Sequence, residues 1–299
     1  MSGASFVTGG EGFVGGHLVA HLLASGEQPT APPRSALDLL DGPATREAIG
    51  SARPGVVFHL AAIPSVAHSW AAPRDTLEAN LSTTLNVLEA VRLEVPRAAV
   101  VLAGSGEVYG PPEIVPIDED APLRPQNPYA VSKAACDLLG GQYADAHGLQ
   151  VVRVRAFNQA GPGQSDEYVV GTLTRQVAEA ELAGSDEVLL HTGNVEARRD
   201  FTDVRDVVRA YATGPALPSG AYNVCSGRST SVLELIEMVR ACARISVRHE
   251  VDPARLRPND VPEIRGSAER LRAATGWEPE IPIERTVEDA LDAWRARLG

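Results

Sequence analysis

Thr8-Gly9-Gly10-Glu11-Gly12-Phe13-Val14-Gly15-Gly16-His17-Leu18 is the stretch on which the fold turns. Its glycines at 9, 12 and 15 are spaced GxxGxxG. The residues before it, Ala4–Thr8, read as a short strand, and Phe13–Ser25 reads as a helix. A chain that leaves a strand and enters a helix this abruptly needs glycine for three separate reasons. Gly9 permits the tight turn, Gly12 lets the backbone approach a pyrophosphate, and Gly15 lets the helix pack closely on the strand. The helix start then presents free N–H groups to phosphate oxygens. Gly9, Gly12, Phe13, Val14 and Gly15 are therefore candidate cofactor-binding residues. The alternative is a glycine-rich turn with no ligand. A nucleotide P-loop is disfavoured because no Lys-Ser/Thr pair follows.

Outward from this turn, strand and helix patterns alternate. Val56–Ala62 and Ala98–Ser105 are nearly continuous apolar runs and read as buried parallel strands. Val151–Asn158 reads as another strand. Thr76–Leu93 and Pro128–His147 read as long amphipathic helices. The alternation predicts an α/β fold with a Rossmann-type doubly wound parallel sheet. Past residue 160 the segments shorten. Leu189–Thr192 and Tyr222–Cys225 read as short strands, and Val232–Cys242, Ala268–Thr275 and Val287–Leu298 as helices. The expected organisation is a dinucleotide domain over 1–160 with parts of 195–225. Residues 161–299 mainly form a smaller C-terminal α/β substrate lobe.

Composition removes several function classes. The chain has 299 residues, 44% apolar and 22% charged, with a net charge of -12. Nucleic-acid binding needs a basic face, and this balance argues against it. No apolar run approaches the ~20 residues that cross a bilayer. The opening MSGASFVTGG lacks a basic region before an apolar core, so a cytoplasmic protein is expected. Cys136, Cys225 and Cys242 have no metal-ligand spacing and suit buried, reduced thiols. His17, His21 and His68 have no metal-like arrangement either.

The second strand of such a fold normally ends in an acid that takes the ribose hydroxyls of NAD. Here that region is Glu27-Gln28-Pro29-Thr30-Ala31-Pro32-Pro33-Arg34-Ser35, with Arg34 where the acid would stand. Arg34 suits a 2′-phosphate, so NADP(H) is favoured over NAD(H). The plainer alternative is a degenerate strand with a solvated arginine.

Lys133 is the only lysine among 27 lysines and arginines. It lies four residues after Tyr129, which on a helix places both on one face. Arginine serves as the generic cation everywhere else, so a lone lysine marks a position needing a compact ammonium. A nearby ammonium favours the phenolate and is expected to lower the pKa of Tyr129, which can then exchange a proton with a sugar hydroxyl. Ser105 ends a buried strand, where open α/β sheets hold their ligands, and its hydroxyl can bond the same oxygen. Asn127-Pro128 suits a helix start. His59 reads as a satisfied core histidine and Tyr109 as a packing residue. For Trp70 both a site-lining and a core role are open.

The segments TGGEGFVGGHL (8–18), HLAA (59–62), GSGEVYG (104–110), NPYAVSK (127–133) and RAFN (155–158) occur in the order of the extended short-chain dehydrogenase/reductase family, which the chain resembles over essentially its whole length. The resemblance implies a nucleotide-sugar epimerase, dehydratase or reductase with NAD(P)(H). It implies that Tyr129 is the acid/base, that Lys133 lowers its pKa and holds the nicotinamide ribose, and that Ser105 orients the sugar hydroxyl. By the same likeness Asp38 and Leu39 flank the adenine, and Leu60, Ala61 and Ala62 line the pyrophosphate and ribose. Residues 65–92, 155–164, 197–211 and 252–279 resemble the GDP-4-keto-6-deoxymannose reductases in particular. That implies reduction of a C4 ketone to a GDP-6-deoxyhexose, GDP-D-rhamnose or its 6-deoxytalose epimer. Asn158, Arg199 and Arg257 would then hold the diphosphate or nearby ribose, and Asp260 a ribose hydroxyl. Guanidinium groups bind phosphate oxygens bidentately, which supplies local positive charge within an acidic protein. Arg198, Arg205 and Arg209 read as ordinary surface charge.

Glu107 matches the carboxylate that helps eliminate water in GDP-mannose 4,6-dehydratases, but reductases and epimerases often carry it too. Gly106 departs from the family, where Ser or Thr is usual. A 4,6-dehydratase or nucleotide-sugar 4-epimerase is therefore the alternative reading, and a non-catalytic NAD(P)-binding regulator a second one. The family commonly pairs the two long helices in a four-helix homodimer interface, so a homodimer is implied.

Overall fold

A computed structural model describes residues 4–255 and 261–299. Arg257 and Asp260 lie outside the described residues. The chain starts with β1 (Ser5–Thr8), the glycine turn and α1 (Phe13–Ala24). The anticipated second strand is reduced to a single parallel bridge between Thr30 and Phe6. Proline at 29, 32 and 33 removes the N–H groups that a longer ladder would use. Next come α2 (Gly42–Ala52), β2 (Val56–His59), α3 (Val66–Ala71) and α4 (Pro73–Glu94). β3 (Ala99–Ala103) runs into a 3-10 turn at Gly106–Tyr109, and α5 (Pro128–His147) leads to β4 (Val151–Ala156).

The helix over 128–147 has the bounds its sequence predicts. The Asn127 side chain accepts the Ala130 N–H at 2.8 Å, Pro128 opens the first turn, and Gly148 closes the helix in the left-handed conformation at φ 68°. The run read as one strand over 151–158 instead breaks at Phe157 and resumes as β5 (Asn158–Ala160), in a different sheet. The strand read as reaching Ala62 stops at His59, leaving Leu60, Ala61 and Ala62 in the turn beyond it.

The rest of the chain is α6 (Val169–Leu182), β6 (Glu187–Thr192), β7 (Arg198–Asp203), α7 (Val204–Thr213), β8 (Gly220–Val224), β9 (Ser229–Ser231), α8 (Val232–Cys242), β10 (Ser246–Val251), β11 (Glu263–Ile264), α9 (Glu269–Thr275) and α10 (Ile283–Leu298). The main sheet is wholly parallel in the order β1-β2-β3-β4-β8. Alternate residues face opposite layers, as the period of a strand requires. Val7, Phe58, Val101 and Val154 pack with Leu18, Leu22, Val207 and Tyr211 of α1 and α7. Phe6, Val57, Val100 and Leu102 pack with Ile49, Val87, Leu88 and Val91 of α2 and α4. Helices thus cover both faces, which is the doubly wound arrangement expected.

A second apolar core joins α6, α8 and α10 with β6, β7 and β10, through Leu173, Leu190, Phe201, Leu235, Val287 and Trp294. Because β7 pairs with β5, this lobe is tied to the chain just beyond the carboxyl end of β4. Among the described residues no helix is long and apolar enough to cross a membrane.

Candidate active site

The turn after β1 is built as the glycine spacing demands. Gly9 has φ 72°, and a Cβ there would come within 2.7 Å of the Ala61 amide nitrogen. A Cβ on Gly15 would collide with the Gly9 carbonyl oxygen, so α1 and the turn approach as only glycine allows. Gly12 is the N-cap of α1 and gives the helix no side-chain cap. The N–H groups of the first turn therefore face outward for an anion. These features fit a dinucleotide pyrophosphate.

Thr8 joins this turn to the next. Its hydroxyl accepts the amides of Leu60 and Ala61 at 3.2 and 3.3 Å and lies 2.8 Å from His59 Nδ1. With two amides donated to it, the Thr8 hydroxyl donates its own proton to Nδ1. The imidazole then carries its hydrogen on Nε2, which reaches Thr84 Oγ1 at 3.2 Å. Burial first, and then the Lys133 charge, lower the His59 pKa from 6.5 to about 3, so the ring is neutral. His59 is the satisfied core histidine its sequence context predicts.

Tyr129 sits in the first turn of α5 and Lys133 one turn later. Lys133 is buried, and its Nζ donates to the Ala103 carbonyl at 2.8 Å. Ser105 is buried and caps the 3-10 turn by accepting the Glu107 N–H at 3.2 Å. The Tyr129 phenol lies beside this hydroxyl, which draws its pKa down. Ser105, just past the end of β3, and Tyr129 and Lys133, on the helix that follows that strand, thus converge at the carboxyl edge of the sheet.

The pKa expectation for Tyr129 is corrected by the structure. Burial pushes the phenol up from its ordinary value of 10.0, and the Ser105 hydroxyl offsets this only in part. Tyr168 and Glu107 add to the rise. Burial also lowers the pKa of Lys133, whose ammonium is engaged with the Ala103 carbonyl. Desolvation, not the Lys133 charge that residue spacing suggests, sets the direction of the Tyr129 shift.

Glu107 lies in the same cluster. Asn127 Nδ2 donates to its Oε2 at 3.3 Å, so the cap of α5 also holds this carboxylate. Gly106 is explained by packing. A Cβ there would come within 3.1 Å of the Phe157 ring, which also presses on Gly266. Asn158, directly after Phe157, opens β5.

Arg199 lies on β7 and directs Nη1 to the carbonyls of Arg198 and Val261 at 2.9 and 2.8 Å. Arg198, Arg205 and Arg209 form ion pairs with Glu234, with Asp203 and Asp289, and with Asp206 and Glu280. Asp38 turns back on its own chain by accepting the Leu40 N–H at 3.0 Å. Asn86 of α4 donates to the Leu39 carbonyl at 2.8 Å and fixes that segment. Arg34 is exposed, and its N–H donates to Glu11 Oε2 at 3.0 Å.

Sequence reasoning missed Asn80. Its Oδ1 accepts the Ile63 N–H at 2.7 Å and its Nδ2 donates to Ser132 Oγ at 2.9 Å, linking the turn after β2 to the Lys133 helix. A polar residue on the apolar face of α4 was the available signal. Trp70 is 65% exposed, which excludes a core role within this chain. Cys136 and Cys225 are buried as expected, while Cys242 is partly exposed. Among the described residues no group of His, Cys, Asp and Glu is placed to hold a metal. An open groove of about 730 Å³ between α8 and α10 is lined by Met238, Pro282 and four glutamates, and by no candidate site residue.

Residues 35–290 match the family model described as GDP-mannose 4,6 dehydratase. The chain is 38% identical to the GDP-6-deoxy-D-mannose reductase of Pseudomonas aeruginosa, over 100% of this chain and 99% of that one. The structure of RMD from Pseudomonas aeruginosa complexed with NADPH superposes with a TM-score of 0.90 at 34% identity, covering 99% and 100% of the two chains. The UDP-glucose 4-epimerase of Thermus thermophilus in complex with NAD gives a TM-score of 0.87 at 31% identity, covering 98% and 99%.

Proposed function

The chain belongs to the extended short-chain dehydrogenase/reductase family of NAD-dependent epimerases and dehydratases, and from that membership we propose that it reduces the C4 ketone of GDP-4-keto-6-deoxymannose to a GDP-6-deoxyhexose. The end-to-end likeness to the Pseudomonas reductase carries this reading. A reduced nicotinamide dinucleotide held by its pyrophosphate at the glycine turn, with its nicotinamide ribose on Lys133, would supply the hydride. Tyr129 gives its proton to the C4 oxygen, and Ser105 donates a hydrogen bond to the same oxygen as charge develops on it. A phenol with a raised pKa still holds its proton at neutral pH, which is the state a proton donor needs. Lys133, a buried cation one turn away, steadies the phenolate left behind.

The C-terminal lobe holds the nucleotide, with Asn158, Arg199, Arg257 and Asp260 on the diphosphate and ribose. NADP(H) is favoured through Arg34, with NAD(H) also accepted. The enzyme is a cytoplasmic homodimer. Leu81 and Leu85 on α4 and Val131 and Leu138 on α5 stay exposed, each pair with helical spacing, and offer an apolar face for a second copy.

The test mixes the protein with NADPH and GDP-4-keto-6-deoxymannose and follows nicotinamide absorbance. Stoichiometric loss with a GDP-6-deoxyhexose formed supports the reductase, and the product's C4 configuration separates GDP-D-rhamnose from the 6-deoxytalose form. One observation favours a second reading. Glu107 is held by Asn127 beside Tyr129, where a carboxylate suits a 4,6-dehydratase. Conversion of GDP-mannose without net cofactor use would establish it.

A further inference from the structure

We infer that Glu11, delivered from the glycine turn, weakens binding of a cofactor bearing a 2′-phosphate, and that Arg34 opposes it. In dinucleotide folds the acid that takes the adenosine ribose hydroxyls sits at the end of the second strand. That strand is reduced here to Thr30, which exchanges two backbone bonds of 2.8 Å with Ser5 and Val7. No acid follows it in Ala31-Pro32-Pro33-Arg34.

The carboxylate comes instead from the other side. Glu11 Oε2 accepts the Arg34 N–H at 3.0 Å. The two segments abut, since a Cβ on Gly10 would come within 3.0 Å of the Ala31 Cβ. The bond to Arg34 occupies one carboxylate oxygen and leaves Oε1 able to accept a ribose hydroxyl. The same charge repels a phosphate on that hydroxyl, while the Arg34 guanidinium attracts it. Glu11 and Arg34 are both exposed, so each acts in high dielectric and is screened by salt. Cofactor choice becomes a balance of two opposed charges.

This rests on the reading that the glycine turn binds NAD(P)(H), and the measurement is binding rather than turnover. Calorimetric titration of the wild type, Glu11→Gln and Arg34→Ala with NADPH, NADH, 2′,5′-ADP and 5′-AMP is made at low and high salt. Glu11→Gln keeps the acceptor for the Arg34 N–H and removes the charge. It is expected to tighten NADPH and 2′,5′-ADP by about tenfold at low salt, with NADH and 5′-AMP unimproved and the gain shrinking at high salt. Arg34→Ala is expected to weaken only the phosphorylated pair. A wild type that binds both cofactors but whose NADPH-to-NADH ratio does not rise in Glu11→Gln overturns the role of Glu11. A silent Arg34→Ala overturns the opposition by Arg34 and leaves the role of Glu11 intact. A wild type that binds none of the four ligands overturns the dinucleotide reading and this inference with it.

Discussion

Tyr129→Phe removes the proton donor and little else, because the ring stays in the first turn of α5. Turnover is expected to fall by about 10²–10⁴-fold with cofactor affinity unchanged. Near-normal turnover would refute the assignment. His59 governs a different property. Its folded pKa of about 3 lies below the ordinary 6.5, so the folded protein binds fewer protons than the unfolded chain between those values. The stability this contributes is complete above pH 6.5 and is lost as pH falls towards 3, by several kcal/mol over the whole window. Melting temperature measured against pH should decline across that range in the wild type. His59→Asn should flatten the decline, and an equal slope in both proteins would show that other groups cause it.

Among the elements, the turn between β1 and α1 offers a sharp contrast between adjacent glycines. A Cβ on Gly15 lands on the Gly9 backbone, whereas a Cβ on Gly16 meets only the Gly10 carbonyl at 3.7 Å. Gly15→Ala should push α1 off the turn and cost roughly 1–3 kcal/mol of stability together with cofactor binding. Gly16→Ala should retain binding and match or exceed wild-type stability, since alanine favours a helix interior. Paired melting and cofactor titrations check both. The catalytic helix has its own anchor in Asp137, one turn beyond Lys133. Arg155 bonds both of its carboxylate oxygens at 2.9 and 2.8 Å, and Arg153 adds a third bond at 3.1 Å. Such a buried pair fixes where α5 sits along β4, and with it the height of Tyr129 and Lys133 above the sheet edge.

For the molecule as a whole, α4 and α5 pack side by side and leave Leu138 62% exposed beside the other apolar side chains of that face. If two copies join there, Leu138→Arg buries an unpaired charge in each half of the interface. Sedimentation should then show monomers for the variant and dimers for the wild type. A wild type that sediments as a monomer would remove the dimer and leave the catalytic cluster untouched, since Ser105, Tyr129 and Lys133 all come from one chain.

Elements whose signals are local were legible in the chain alone. The helix bounds at 128–147 follow from Asn127, Pro128 and Gly148, and the helix over 232–242 starts where Ser231 and Glu234 form a capping box. The glycine spacing and the lone lysine were equally legible, because each depends on what one residue type can do. Packing governed whatever depends on distant partners. β7 reads as polar in RRDFTD, yet Asp200 is buried because Ser226, Gly227 and Gly266 donate to it. Helix α2 hides only Thr45 and Ile49, too few apolar positions to show a period. The sign of the Tyr129 pKa shift was also out of reach, since spacing to Lys133 suggests an attraction but only packing gives the desolvation that dominates the shift. The same holds for Glu11, whose place beside Arg34 exists only once the glycine turn and the remnant of the second strand lie against each other.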